Sequence, residues 1–251
     1  MSTKPRQTVL LTGATGAIGA AIARALAKES MRVLLHYSRN AVAAEALAEE
    51  IGAGAACLCA DLSVAGEPTR LWEGAEAVAG RIHALINNAG IRTETRVDDP
   101  LTDWQTVWSR EMQVNFLAAV DLTRAAILHF RSHGGGRIIN IASRAGQRGY
   151  VADAMPYGAS KAALINLTKS VAQSFGAENI LSVAIAPGWV RTQMADAFVA
   201  RHGETAALSG IPIGAMAEPE EIGELVTFTL RPSQRSLNGA VLDVNGASYL
   251  R

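Results

Sequence analysis

Tyr157 and Lys161 stand four residues apart in Tyr157-Gly158-Ala159-Ser160-Lys161, and Ser143 lies shortly upstream, after the apolar run Arg137-Ile138-Ile139-Asn140-Ile141-Ala142. Pro156 lacks the N–H that the first turn of a helix leaves unpaired, and its fixed φ suits that turn, so a helix is predicted to open here. Residues four apart share a helix face, which puts the Lys161 ammonium near the Tyr157 phenol and favours the ionised form of the phenol. A free phenol titrates near ~10, and a neighbouring cation lowers that value toward the range useful for proton transfer. Ser143, on a strand end, has a hydroxyl that can hold a carbonyl or alcohol oxygen against Tyr157. Together the three groups handle a proton on oxygen. A Tyr and a Lys at this spacing also occur as solvated pairs, so the reading depends on the elements that position them.

Those elements are legible in the hydrophobic pattern. Strand-length apolar runs alternate with Ala-rich helical stretches throughout, which predicts a doubly wound α/β fold, a mostly parallel sheet with helices on both faces. Seven runs are assigned: Thr8 to Thr12, Arg32 to Tyr37, Ala55 to Ala60, Ala84 to Asn87, Arg137 to Ala142, Leu181 to Ala186 and Ala240 to Val244. No repeat or linker interrupts them, and one domain over residues 1–251 is expected. With 49% hydrophobic and 18% charged residues the chain can build a sizeable core.

The first run ends in Thr12-Gly13-Ala14-Thr15-Gly16-Ala17-Ile18-Gly19 and passes straight into an alanine-rich helix. A glycine-rich turn between strand and helix lets the backbone approach a pyrophosphate, while the helix N-terminus offers unpaired N–H groups. This is a dinucleotide cradle. At the end of the second run, where NAD-selective proteins carry an acid for the ribose hydroxyls, stand Tyr37, Ser38 and Arg39. With no carboxylate to repel a phosphate and an arginine to bind one, the position favours NADP, with NAD still possible. Asp61-Leu62-Ser63 and Asn87-Asn88-Ala89-Gly90 follow the third and fourth runs, at the carboxyl edge where such sheets bind ligands.

Other features exclude function classes. Lys plus Arg (23) equals Asp plus Glu (23), so nothing indicates a nucleic-acid or anionic-membrane partner. The start, Met1 to Thr8, is charged and leads into only a short apolar run, unlike a signal peptide or a membrane span, and a cytoplasmic location is expected. Cys57 and Cys59, two apart in a strand, point the same way and are read as reduced core residues. His129 and His133 have the spacing of a helical metal pair. No Glu follows His129, and Gly134 ends the helix, so a dipole-favoured histidine is the preferred reading and no metal is assigned.

With these motifs assembled, the chain resembles the classical short-chain dehydrogenase/reductases nearly end to end. The matching stretches include the Thr12-Gly13 loop, Asp61, Asn87-Asn88-Ala89-Gly90, Val114-Asn115-Phe116, Ser143, Tyr157 to Lys161, and Pro187-Gly188-Trp189-Val190-Arg191-Thr192. The tail resembles the family too, in Gly214 to Ile222 and Leu242 to Ala247. The resemblance implies a Rossmann fold and a tetrad of Asn115, Ser143, Tyr157 and Lys161. Tyr157 would be the proton donor in reduction and base in oxidation, and Ser143 would hold the substrate oxygen. Lys161 would tune Tyr157 and bind the nicotinamide ribose, and Asn115 would anchor a water chain. Gly13, Thr15, Gly16, Ile18 and Gly19 would hold the pyrophosphate, and Tyr37, Ser38 and Arg39 the adenosine ribose end. Asp61 and Leu62 would meet the adenine. Asn88, Ala89, Gly90, Ile91, Pro187, Gly188, Val190 and Thr192 would line the remaining cofactor path. The family usually has glycine where Ala17 stands, and Gly16 is expected to supply the backbone freedom instead. The basic residue that many NADP-dependent members place just before that glycine is absent, and Asn238-Gly239 replaces a common Thr-Gly.

The closest likeness within the family is to 3-oxoacyl-(acyl carrier protein) reductases. Arg124 and Arg131 are available to an acidic carrier, but Gln173 to Glu178 is not basic. Residues 193–213 are expected to form a substrate lid, with Met194, Ala197, Phe198 and Val199 as its apolar surface. Arg144, Arg148 and Arg191 would put positive charge near the site mouth and suggest an acidic substrate. Sugar, polyol or cyclic-ketone oxidoreduction stays open, as does a non-catalytic NADP-binding sensor. The resemblance implies a small carbonyl or alcohol substrate and a homo-oligomer, dimer or tetramer, joined through the final two helices and last strand.

Overall fold

β-branched and leucine-rich strands, flanked by helices whose apolar stripes face them, build one sheet buried on both sides. The computed structural model describes residues 6–251. The reading of Met1 to Pro5 as a charged start lies outside the described residues. Seven strands are formed: β1 (Thr8–Leu11), β2 (Arg32–Tyr37), β3 (Ala56–Cys59), β4 (Ala84–Asn87), β5 (Gly136–Ile141), β6 (Ile180–Pro187) and β7 (Val241–Val244). Their order is β3-β2-β1-β4-β5-β6-β7, and every pairing is parallel. The sheet is thus a Rossmann sheet with helices on both faces, and its strand order reverses between β1 and β4. Ligands in such sheets bind outside the carboxyl ends of the strands at that reversal.

The intervening helices are α1 (Ala17–Lys28), α2 (Ala41–Ile51), α3 (Glu67–Ala79), α4 (Leu101–Met112), α5 (Ala118–Ser132) and the short α6 (Ala145–Arg148). After them come α7 (Met155–Phe175), α8 (Gln193–His202), α9 (Glu204–Leu208) and α10 (Pro219–Thr229). One side of the sheet is covered by a cluster that includes Ile22, Leu26, Ile222 and Val226; the other by Trp72, Leu122, Phe130 and Val171. α10 begins with a capping box in which the Glu218 and Glu221 side chains and backbone N–H groups satisfy one another.

A buried polar chain locks α7 to the sheet. Asn87 Nδ2 donates to Asn140 Oδ1 (2.8 Å), Asn140 Nδ2 donates to Thr168 Oγ1 (2.8 Å), and the Thr168 hydroxyl donates to the Leu164 carbonyl (2.9 Å). Such a chain fixes one registry of helix on strands, because a slip would leave buried amides unpaired. Two strand-end expectations are revised. Cys57 is only half-buried and Cys59 is exposed, because β3 is the sheet edge and its outer residues have no neighbouring strand.

Candidate active site

Backbone geometry shapes the glycine turn. Gly13 has φ +66°, and a Cβ there would sit 2.9 Å from the Ala89 Cα; one at Gly19 would sit 2.2 Å from the Gly13 carbonyl oxygen. Only glycine fits either position. Gly16 differs: its φ of −76° suits any residue, and the expected role as a substitute hinge beside Ala17 is not needed. A Cβ at Gly16 would approach no atom closer than 3.7 Å, so glycine there keeps open space over the N-terminus of α1 rather than permitting a conformation. Asn88 braces the turn from β4, its Nδ2 donating to the carbonyls of Thr12 (2.9 Å) and Gly13 (3.1 Å). The Thr12 hydroxyl accepts from the Asn88 and Ala89 N–H groups.

His36, which the sequence reading did not single out, holds the turn from the other side. Its Nδ1 accepts from the Gly13 N–H (3.0 Å), which leaves Nε2–H to donate to the Ala60 carbonyl (3.1 Å). Burial lowers its pKa and keeps it neutral, the only form that can accept from Gly13. A lone histidine in the apolar run Arg32 to Tyr37 was the available signal.

From this turn a cavity of about 810 Å³ runs along the carboxyl edge to Tyr157. It is lined by nearly all the expected positions: Gly13, Thr15, Gly16, Ile18 and Gly19; Tyr37, Ser38 and Arg39; Asp61 and Leu62; Asn88, Ala89, Gly90 and Ile91; Ser143, Tyr157 and Lys161; Pro187, Gly188, Val190 and Thr192. Asn115 does not line it. Arg110 on α4, not foreseen, lines it near Asp61, whose carboxyl is held below its ordinary value by two hydrogen bonds from Ser63 and by the nearby Arg39 and Arg110. The open floor at Gly16, the free N-terminus of α1 and the cations at the far end fit a dinucleotide with an anionic pyrophosphate. No carboxylate stands at the end of β2 among the lining residues.

The reacting end is assembled from three elements. Ser143 follows β5, Tyr157 and Lys161 lie in the first two turns of α7, and Asn115 sits in a π-helical turn, Gln113–Leu117, between α4 and α5. π-turns recur at functional positions because the extra residue redirects side chains. Here the Asn115 side chain clamps the backbone of Ile91, Oδ1 accepting its N–H (2.8 Å) and Nδ2 donating to its carbonyl (2.9 Å). Its Nδ2 also donates to the Ser160 hydroxyl (3.1 Å).

Electrostatics at this end depart from the sequence expectation. Burial pushes Tyr157 up to about 12, and a hydrogen bond from Ser143 to its ionised form offsets this only in part. Lys161 does not depress it. Its Nζ donates to the Ile141 carbonyl (2.8 Å) and lies 5.8 Å from the centre of the Tyr157 ring. Burial also drives Lys161 down to about 8, against the opposing charge of Glu111. Glu111, fully buried on α4, was not foreseen: it looks like any helix-surface acid in the sequence. It accepts the Thr93 N–H, its other oxygen has no partner, and burial raises its pKa.

The substrate side also differs in detail. Phe198 and Val199 pack with Trp189, Ala195, Ala207 and Met216 into a small cluster separate from the sheet core, so they do not face the cavity; Met194 does. Thr192 caps α8 by accepting the Ala195 N–H (3.4 Å). Arg201 on α8 grips Glu94 with two hydrogen bonds (2.9 and 3.0 Å), and Arg92 pairs with the same Glu94 (3.1 Å). Of the arginines expected at the mouth, Arg191 is paired with Glu218 (3.0 Å), Arg148 is exposed, and Arg144 is buried and does not line the cavity. On α5, Arg131 is held by both oxygens of Glu178 (2.5 and 2.9 Å), which leaves Arg124 as the free one of the two cations considered for a carrier. His129 uses both ring nitrogens, one facing Glu76 (2.5 Å) and one accepting the Ile82 N–H (3.0 Å).

A parallel doubly wound sheet with a glycine turn, an Asn-Asn-Ala-Gly strand end and a Ser, Tyr, Lys constellation around one cavity defines a class. The model of the short chain dehydrogenase family matches residues 7–202, and the chain belongs to that family. It is 33% identical to a 3-oxoacyl-[acyl-carrier-protein] reductase of Synechocystis sp., over the full length of both chains. It is 31% identical to an acetoacetyl-CoA reductase of Rhizobium meliloti, over 96% of this chain and 97% of the relative. A nodulation protein G of a Rhizobium species is 35% identical over 94% of each. The chain is an NAD(P)-dependent oxidoreductase acting on C=O or CH–OH groups. No helix among the described residues is long and apolar enough to cross a membrane.

Proposed function

We propose that the chain is an NADP-dependent carbonyl reductase of the 3-oxoacyl-thioester type, with Asn115, Ser143, Tyr157 and Lys161 as its catalytic tetrad. The observation that carries this is the convergence of the Tyr157, Ser143 and Lys161 side chains at the inner end of the cavity that begins at the glycine turn. The relatives named for 3-oxoacyl and acetoacetyl thioesters, similar over their whole lengths, support the substrate class.

When bound, the nicotinamide supplies the hydride. Ser143 orients the carbonyl oxygen, and Tyr157 gives its proton to that oxygen as negative charge develops. An alkoxide is far more basic than a phenolate whose acid titrates near 12, since hydroxyl groups of this kind lie near the ~15.7 of water. Tyr157 is therefore a competent donor even without an initial lowering. Lys161 holds the nicotinamide ribose and a positive charge near the new phenolate. Asn115, engaged with Ile91 and Ser160, keeps the loop after β4 in register with α7.

Arg39, with Ser38 and Tyr37, binds the 2′-phosphate of NADP, and Arg110 adds positive charge at that end. The 193–213 segment acts as the substrate lid of a single domain, and the protein works in the cytoplasm as a homo-oligomer. Initial rates with acetoacetyl-CoA test the cofactor assignment. NADPH should exceed NADH in kcat/KM, and Arg39→Ala should cut the ratio roughly 10-fold or more, the worth of a charge-assisted hydrogen bond. Equal rates with both cofactors in the unaltered protein would remove the NADP assignment.

A further inference from the structure

α8 runs from one wall of the cavity to the loop that forms another. Its first residues, Gln193 and Met194, line the cavity beside Thr192, and the chain just before them is tied down by the Arg191 N–H, which donates to the Ala217 carbonyl (3.0 Å). Arg201 stands two turns beyond Met194, roughly 10 Å along the helix. The apolar packing of α8 is local: Ala195, Phe198 and Val199 pack with Trp189, Ala207 and Met216. Among the described residues, the hydrogen bonds and ion pairs that join 193–213 to any residue before β6 are those of a single pair, Arg201 with Glu94.

The loop that carries Glu94 is fixed to the reacting end residue by residue. Ile91 lines the cavity and is clamped by Asn115, the Thr93 N–H is held by the buried Glu111, and the Thr95 N–H donates to the Asp153 carbonyl (2.9 Å). The Arg92 guanidinium lies over the Tyr150 ring (5.8 Å), which is 5.7 Å from the ring of Tyr157. Glu94 is the outward post of this loop. Its Oε2 accepts from Arg201 Nη1 (3.0 Å), and its Oε1 accepts from Arg201 Nη2 (2.9 Å) and from Arg92 Nη1 (3.1 Å). Hydrogen bonds from these two arginines hold the Glu94 carboxyl below its ordinary value. Exposed ion pairs are weak singly, but two parallel bonds and a shared second cation give this one a defined geometry.

We propose that Glu94 and Arg201 are positioning residues for the reduction: their ion pair pins the far end of α8 to the loop after β4 and keeps the segment closed over the bound substrate. The proposal rests on the reading of 193–213 as the substrate lid. Substrate enters and leaves when the pair opens, a local motion of a segment that packs mainly on itself. Because Glu94 is matched by its arginines, the pin adds no unpaired anion at the site. The closed segment presents Met194 opposite Ile91, two apolar side chains suited to an acyl chain.

The test combines kinetics with NADPH and acetoacetyl-CoA and amide hydrogen exchange over residues 193–202, in the unaltered protein, Arg201→Met, Arg201→Lys, Glu94→Gln and the double variant Arg201→Met with Glu94→Gln. Each single removal should raise KM for acetoacetyl-CoA about fivefold, the upper end for an exposed ion pair. Because the pin holds bound substrate and transition state alike, kcat should stay within about twofold, and NADPH affinity should not change. The double variant should be no worse than either single one, since both remove the same pair, and Arg201→Lys should recover part of the loss. Exchange in 193–202 should quicken in Arg201→Met and Glu94→Gln while that of β4 and α7 does not. Unchanged exchange in α8 overturns the proposal, and so do KM effects that add in the double variant. Quickened exchange with an unchanged KM also overturns it, and places the fault in the lid reading rather than in the ion pair. If none of the proteins turns over acetoacetyl-CoA, exchange alone decides: quickening in both single variants supports the pin, and its absence overturns it.

Discussion

The proton chemistry of this site is decided by single residues and by how deeply each is buried. Tyr157 near 12 is a poor base at neutral pH but a sufficient acid toward an alkoxide. The two directions of the reaction should therefore respond differently to pH. Alcohol oxidation needs the phenolate, so its kcat/KM should climb about tenfold per pH unit across the neutral and mildly alkaline range, while reduction stays nearly flat there. Glu111 is placed to sharpen the difference, because its ionised form raises both Tyr157 and Lys161. Removing that charge in Glu111→Gln lowers both values, and the rising limb for oxidation should shift to lower pH. A limb that superimposes on that of the unaltered protein would separate Glu111 from the proton chemistry. The sequence made Tyr157, Lys161 and Ser143 legible because their spacing is local. How Lys161 is held was not legible, since burial and a carbonyl acceptor supplied by β5 are tertiary facts that no spacing reveals.

At the scale of elements, strands and helices follow from hydrophobic period, and the assigned runs match the observed strands to within a residue at every end. Less visible are the polar ties between elements, such as Asn140 to Thr168, and the π-turn that aims Asn115, because each depends on contacts between distant stretches. His36 is the most consequential of these ties, joining β2 to the glycine turn and to Ala60. Its pKa is lowered in the fold, so the unfolded chain binds the extra proton more readily. The stability it contributes is full above the unfolded value of ~6.5 and is lost as pH falls through the folded value. Melting temperature should thus decline on acidification below about 6.5. His36→Gln, which retains an acceptor and a donor but has no proton to gain, should flatten that decline. A melting profile of the same shape in both proteins would show that other groups govern acid stability.

For the whole molecule, the parallel sheet ends in β7, a strand with one neighbour, near the exposed side chains of Leu250 and Ile213. An open sheet edge and adjoining apolar groups invite pairing with another copy. Sedimentation at micromolar concentration should give a dimer or tetramer, and a monomer would remove the assembly from the account. The sheet also sets the glycine turn and the Ser143, Tyr157 and Lys161 side chains along one cavity, which in the proposed mechanism lets a hydride donor and a proton donor act on one carbonyl. The most direct test replaces only the proton donor. Tyr157→Phe is compared with the unaltered protein for NADPH oxidation in the presence of acetoacetyl-CoA and for NADPH binding by fluorescence. The expected result is a loss of kcat on the order of 10³-fold or more, in keeping with the contribution of general acid catalysis at an oriented site, with NADPH affinity retained within a few-fold. Turnover in Tyr157→Phe within a few-fold of the unaltered protein would contradict the assignment of Tyr157 as proton donor.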